Sequence, residues 1–183
     1  EDWKQRLEGA VEAKFVVKSH AGLQPEVSGD LVVKDGSLTA LPVLDTIASY
    51  TGVSAFKQLK FSDFSCHFYK HGELLRLTEI SGQCGGLLRI EGRLDITGKA
   101  LDGKFRLGLS PSALQNIPGA ENNVFHPGES GLSWATITIS GTTDDVQEDI
   151  TDRLKAAAFA RVLEVFADEG VVKFGQATAG QVE

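Results

Sequence analysis

The sequence predicts an α+β fold that is mainly antiparallel β: a meander sheet with a short helix and a longer C-terminal helix covering one apolar face. Three observations predict it. Apolar and polar residues alternate strictly over several stretches, which is typical of half-buried strands. Turn residues separate these stretches about every ten residues, a spacing that indicates hairpins rather than βαβ units. Two stretches with helical spacing supply cover for the apolar side that an open sheet must bury.

Length and composition indicate one domain over residues 1–183. The chain is 42% hydrophobic and 23% charged, which provides enough apolar material for a core and argues against disorder. Its net charge of -7 disfavours nucleic acid and anionic membrane surfaces as partners, because both need clustered Lys and Arg. The sequence contains no Met, so we expect it to be a segment of a longer protein. No run of about 18 apolar residues is present that would span a bilayer.

The N-terminal part predicts two strands and then a helix. The first strand surrounds Phe15 and the second surrounds Leu31, with a Gly- and Pro-containing break between them. Asp35-Gly36 is predicted to be a turn that ends the second strand. A helix is then predicted over 42–51, because a proline suits its first turn and apolar residues follow at helical spacing. We expect this helix to fold back over the apolar side of the sheet.

The middle of the chain shows the clearest period-two pattern. In 87–97, Leu88, Ile90, Leu94 and Ile96 point to one side, and the residues between them, mostly charged, point to the other. Alternation of the same kind predicts strands over 64–69, 75–78, 104–109 and 132–140.

Two further helices are predicted in the C-terminal half. The first covers 110–119, with Ser110 as its N-cap. The longer one covers Glu148–Glu169, and the acidic residues of 144–149 lie near its N-terminal end, where the helix dipole favours negative charge. The segment "VVKFG" at 171–175 predicts a last strand.

The titratable side chains predict no metal or cofactor site. His67 and His71 lie four apart, which suits a metal only on a helix, and we expect side chains at a strand end and a turn to diverge. The acidic residues of 144–149 lack the alternating oxygen ligands of a calcium loop and indicate helix capping. The sequence has neither a phosphate-binding loop nor a nucleophile elbow. We therefore predict no cofactor, no catalytic residue and no enzyme activity.

The two cysteines, Cys66 and Cys84, permit at most one disulfide. Cys66 alternates with phenylalanines and is interpreted as a small buried hydrophobe. A meander would offset the two residues in register, which disfavours a disulfide and leaves the pairing open. A nucleophilic role would need a nearby base, and the adjacent His67 points to the opposite side of the strand.

Aromatic residues are concentrated between Phe56 and Phe68. One interpretation is an ordinary core; the other is the wall of a groove for an acyl chain or a partner element. The residues predicted to form a lipid-contacting face are those on the apolar side of the central strands: Phe64, Phe68, Leu75, Leu77, Leu88, Ile90, Leu94, Ile96, Phe105 and Leu107.

Four stretches together resemble a known family. They are "VSGDLVVKDGSLTALPVLDTIASYTG", "FKQLKFSDFSCHFYKHGELLRLTEISG", "LLRIEGRLDITGKALDGKFRLGLSP" and "GLSWATITISGTTDDVQEDITDRLKAAA". In this order they resemble the C-terminal region of AsmA-like proteins of the Gram-negative envelope, the group that includes TamB relatives. The resemblance covers most of 25–158 as a β-meander region. Residues 148–183 would form a closing helix and tail, and the part after 158 has no match in the resemblance.

The resemblance implies a periplasm-facing domain of a longer protein that is anchored to the membrane only through an N-terminal segment. It implies a curved sheet whose apolar inner face holds or passes phospholipid between membranes or aids outer-membrane biogenesis, without catalysis. The partners would then be phospholipid or acyl chains. The alternative is a structural or adaptor module that binds another envelope protein through a sheet edge or the C-terminal helix.

Overall fold

A computed structural model describes residues 7–39, 48, 58–115, 117, 119–161 and 164 of the chain. The strands in these residues, numbered in chain order, are β1 Leu7–Lys18, β2 Glu26–Thr39, β3 Gln58–His71, β4 Leu74–Cys84, β5 Leu88–Thr97, β6 Ala100–Leu109, β7 His126–Pro127, β8 Ser133–Gly141 and β9 Val146–Glu148. Two short helices, α1 (Pro111–Leu114) and α2 (Ala120–Asn123), and a 3-10 turn at Glu129–Gly131 lie between β6 and β8.

The described strands form one open sheet of nine strands in the order β1-β2-β3-β4-β5-β6-β8-β7, and β9 pairs with β8. Every pairing is antiparallel. From β1 to β6 each strand pairs with its successor in the chain. The predicted mainly antiparallel β fold is therefore confirmed. Among the described residues, no helix has the length and apolar character needed to cross a membrane.

The predicted turn at Asp35-Gly36 is wrong, because β2 continues through these residues to Thr39. Asp35 has a positive φ of 49°, and the register between β1 and β2 shifts at this point. The pairing with β3 resumes on the far side at Gly36 and Phe61. The residues that favour a turn form a β-bulge instead, because strand partners on both sides hold β2 extended.

A second bulge lies in β4. Glu79 has a positive φ of 52°, and the register of β4 shifts there against both β3 and β5. Leu77 pairs with Leu94 of β5, and Ile80 pairs with Gly92 of β5. Three residues along β4 therefore correspond to two residues along β5. Ile80 therefore points to the same side of the sheet as Leu77, although the two are three residues apart.

The helix predictions have different outcomes. Ser110 is the N-cap of α1, as predicted, and its Oγ accepts a hydrogen bond from the Ala113 N–H, but the helix ends at Leu114.

The longer predicted helix begins later than expected. Glu148 pairs with β8 as part of β9, so the predicted start of this helix is wrong; residues 150–161 are helical. The rest of that helix after 161, apart from residue 164, and the strand at 171–175 lie outside the described residues. So does the helix at 42–51, except Ala48, which is helical and buried.

One hydrophobic cluster connects the sheet with the segments that follow β6. Leu88, Leu107 and Leu109 of the sheet belong to the same buried cluster as residues of α1, of the loop after α2 and of the helical segment 150–161. The largest fully buried side chains of this cluster in the described chain are Phe125, Leu88, Leu109, Leu114, Ile150, Leu154 and Val124.

Candidate functional site: the apolar face of the sheet

Strand register defines which residues share a side of the sheet. Directly opposed residues of an antiparallel pair point to the same side. Leu75 lies opposite Ile96, and Ile96 lies opposite Leu101. The same pairings, followed strand by strand, place every predicted lipid-contacting residue on one side, here called the apolar face. These residues are Phe64, Phe68, Leu75, Leu77, Leu88, Ile90, Leu94, Ile96, Phe105 and Leu107.

Burial changes along the strands of the apolar face. At one end, here called the closed end, Leu88 is 1% exposed and Leu109 is fully buried. At the other, the open end, Leu75, Ile96 and Leu101 remain partly exposed on three adjacent strands. The predicted residues therefore divide into buried ones (Leu88, Phe105 and Leu107) and half-buried ones (Phe64, Phe68, Leu75, Leu77, Ile90, Leu94 and Ile96).

Glycines lie beside the large side chains of the apolar face. A Cβ on Gly82 would lie 3.0 Å from the ring of Phe61, and a Cβ on Gly92 would lie 2.6 Å from the ring of Phe105. Gly103 is close to Phe105 as well, at 3.0 Å. The rings therefore occupy the space that side chains at these glycines would need. Glycines covered by aromatic rings, together with bulges, are the features with which a sheet bends.

The apolar face extends onto the edge strand β1. Val11 lies opposite Val33, Phe15 opposite Gly29 and Val17 opposite Val27, so the β1 residues continue the rows of the face. Their side chains are open to solvent, with Val11 56%, Phe15 61% and Val17 54% exposed. The sequence predicted a strand around Phe15 and did not assign it to the face. Val16 is apolar but lies on the opposite side, so the apolar–polar alternation that would have assigned Phe15 and Val17 to the apolar face is interrupted.

The opposite side of the sheet is charged. Arg76 and Asp95 form a bidentate ion pair with a shortest distance of 2.9 Å, and the hydrogen bond from Arg76 lowers the pKa of Asp95. Arg106 binds Glu129 at 2.7 Å and stacks on Trp134, with its guanidinium carbon 4.5 Å from the ring centroid. This side therefore has the character of a solvated surface, and the apolar face is left as the candidate binding site.

Both cysteines are free and buried on the apolar face, which contradicts a disulfide between them. They lie on adjacent strands, but the register places Gln83 opposite Asp63, so Cys84 lies well past Cys66 along the strands. Burial raises the pKa of both thiols, that of Cys84 to about 12. Buried thiols of raised pKa are poor nucleophiles.

The two strand histidines differ from the prediction in one respect. β3 extends to His71, so His67 and His71 point to the same side rather than diverging. A spacing of four residues along a strand nevertheless places them roughly 13 Å apart, too far to share a metal ion. His67 instead contacts Asp30 at 2.9 Å. In the described part of the chain, no group of three or more His, Cys, Asp or Glu residues could hold a metal ion.

Comparison with known proteins adds no assignment to this geometry. No family model matches the chain, and neither curated proteins nor solved structures give a significant match. The functional argument therefore depends on the residues of the apolar face themselves.

Proposed function

We propose that this chain is a non-catalytic lipid-handling domain that binds acyl chains at the open end of its apolar face. The observation that carries the proposal is the exposure of that face: its closed end is buried, whereas its open end leaves a row of leucine and isoleucine side chains in contact with solvent. Covering apolar area of this kind with a hydrocarbon chain is favourable, at about 25 cal/mol per Å². The resemblance to AsmA-like proteins supports the same function and a periplasmic location in the Gram-negative envelope.

The distribution of burial supports a specific arrangement. Phe125, Ile150 and Leu154 share a cluster with Leu88, Leu107 and Leu109, so we infer that the segments after β6 help to cover the closed end. The bulges and the glycines beneath aromatic rings support a sheet that curves around the remaining surface. An acyl chain would then lie across Leu77 and Leu94, which pack against the edge of the core and remain partly exposed.

Lys70 supports a ligand with an anionic headgroup. It lies opposite Leu75 and Val27, at the open end of the apolar face. Its ammonium group donates to the Gly72 carbonyl, and an ammonium group has three donors. A phosphate group at the open end of the apolar face would therefore contact the Lys70 ammonium group, while the acyl chain contacts the apolar side chains of the face.

The direct test is to express the chain in the bacterial periplasm, purify it without detergent and analyse an organic extract by mass spectrometry beside a control protein prepared in the same way. We expect enriched phospholipid in near-stoichiometric amount. An extract indistinguishable from the control would contradict lipid binding by this domain.

Paired substitutions locate the binding surface. Leu94→Asp at the half-buried part of the face should leave the chain folded and weaken binding of a dansyl-labelled fatty acid. Leu107→Asp, at a residue 2% exposed, should unfold it, because burying an unpaired charge is costly. Circular-dichroism melting separates the two effects. A folded Leu94→Asp variant with undiminished probe binding would contradict the proposed surface.

The exposed edge strand β1 favours the alternative function, an adaptor that binds another envelope protein. An unpaired strand edge can accept a strand from a partner. Recovery of one specific envelope protein by the purified chain, together with a lipid-free extract, would favour this alternative.

A further inference from the structure

The free edge of β1 is the largest unpaired strand edge in the described chain. β1 spans Leu7–Lys18, pairs with β2 on one side, and ends the strand order of the sheet. Its side chains from residue 9 to residue 18 are all exposed. A long exposed edge with apolar side chains favours strand pairing. The sequence of β1 then determines which strand fits it.

We propose that β1 pairs with β1 of a second copy of this chain, antiparallel, about a two-fold axis at Ala13. This register places Glu12 of each copy opposite Lys14 of the other. It also places Val11 opposite Phe15 and Gly9 opposite Val17 on the apolar face. Unlike charges therefore meet on the polar side, and apolar residues meet on the apolar side.

The neighbouring registers fail on charge. A shift by two residues in one direction sets Glu12 against Glu12 of the second copy, and a shift in the other direction sets Lys14 against Lys14. Like charges directly opposite each other on a sheet are unfavourable. A shift by one residue would turn the apolar row of one copy to the charged side of the other. Of these neighbouring registers, only the one centred on Ala13 opposes unlike charges and keeps both apolar rows on one side.

The pairing gives the exposed residues of β1 a partner. Val11 and Phe15 of each copy would pack beside Phe15 and Val11 of the other, and Val17 would lie opposite Gly9. Both β1 edges would be satisfied at once, as in any isologous interface. The apolar faces of the two sheets would join into one continuous surface. The inference depends on β1 alone, so it holds or fails independently of lipid binding.

Charge substitutions test the register. The full chain is studied by sedimentation velocity over a concentration series at low ionic strength, where we expect a reversible dimer. Glu12→Lys places Lys against Lys at both symmetric positions, and Lys14→Glu places Glu against Glu. Each single variant should weaken dimerisation about tenfold or more, because two attractive pairs become two repulsive ones. Both side chains are exposed, so folding is expected to be retained.

A mixture of the two single variants provides the rescue. Chains carrying Glu12→Lys pair with chains carrying Lys14→Glu through two Lys–Glu contacts, so the mixture should dimerise like the unmodified chain. Glu73→Lys, an exposed turn residue with the same change of charge, should have no effect. The proposal is overturned by a monomeric unmodified chain across the concentration series, by single variants that dimerise normally, or by a mixture that stays monomeric.

Discussion

At the scale of single residues, Gly92 shows how closely the apolar face is packed. A Cβ at this position would lie 2.5 Å from the Lys104 carbonyl oxygen and 2.6 Å from the ring of Phe105. We expect Gly92→Ala to lower the free energy of unfolding by about 1–3 kcal/mol, as overpacking does. Urea denaturation measures the loss. Gly85→Ala, with φ +49° and no atom within 4 Å of the added Cβ, reports backbone strain alone. Unchanged stability of Gly92→Ala would contradict the packing explanation.

The buried thiols give a second prediction at this scale. The pKa of Cys84 is raised to about 12 by burial, and that of Cys66 is raised by burial and by the charge of Asp30. The reactive thiolate is therefore scarce in the folded chain at neutral pH. We expect an aromatic disulfide reagent to modify the folded chain far more slowly than the urea-unfolded chain. Absorbance of the released thiol follows both reactions, and similar rates would contradict burial of the thiols.

At the scale of elements, the acidic residues of 144–149 accept hydrogen bonds from different parts of the fold. The Glu148 carboxylate accepts hydrogen bonds from the N–H groups of Ile150 at 2.7 Å and Thr151 at 3.0 Å, at the start of the helical segment 150–161. Asp149 instead accepts from the Thr138 N–H of β8. Capping, predicted for the whole group, is thus shown for Glu148.

We therefore expect Glu148→Ala to lower the free energy of unfolding by about 1–2 kcal/mol, the usual cost of losing a charged cap. Glu148→Gln keeps an acceptor oxygen and should lose less. Asp145→Ala serves as the control, because Asp145 contributes its backbone N–H, which donates to Thr142. Thermal melting followed at a helix-sensitive wavelength compares the three. A control as unstable as Glu148→Ala would show that the loss does not come from the cap.

The bulges show which part of an element could not be predicted from sequence. Period-two alternation predicted Leu75 and Leu77 correctly as one side of a strand, because apolar spacing follows the pleat. Ile80 does not fit that spacing, because it lies three residues after Leu77. The neighbouring residues do not reveal that a bulge at Glu79 turns Ile80 to the same side as Leu77. The bulge depends on the registers of both neighbouring strands, which no single segment contains. The turn predicted at Asp35-Gly36 failed for the same reason.

At the scale of the whole molecule, we expect the Arg76–Asp95 ion pair to contribute to the way stability responds to acid. The hydrogen bond from Arg76 lowers the pKa of Asp95 below its usual 3.8. The unfolded chain then binds more protons here than the folded chain, so this contribution is present above the unfolded pKa and is lost as pH falls through the folded one. We expect the free energy of unfolding to fall below about pH 4.

Asp95→Asn should flatten this acid dependence, since the group that takes up the proton is gone. Urea titrations at a series of pH values measure the slope, and Glu73→Gln, at an exposed turn residue, is the matched control. An unchanged slope in Asp95→Asn would show that other carboxylates carry the acid response.

The strands and the shared side of the predicted residues could be derived from the sequence, because alternation is a property of each segment alone. The difference between the closed and open ends could not. Leu88 and Ile96 lie in one strand with the same pattern, yet one is 1% exposed and the other remains partly exposed. That difference depends on which distant segments of the chain pack against each end of the strand, which is a long-range property.

The strand order has a consequence for how the chain acquires its structure. From β3 to β6 each strand finds its partner after a connection of two or three residues, so this part of the sheet can grow one hairpin at a time. β8 differs, because residues 110–132 lie between it and its partner β6 in the chain. Closing this longer loop is expected to be the late and slow event. Until that loop closes, the residues that form the closed end in the finished fold would be exposed to solvent. The partly folded chain would then be most prone to aggregation or to capture by a chaperone.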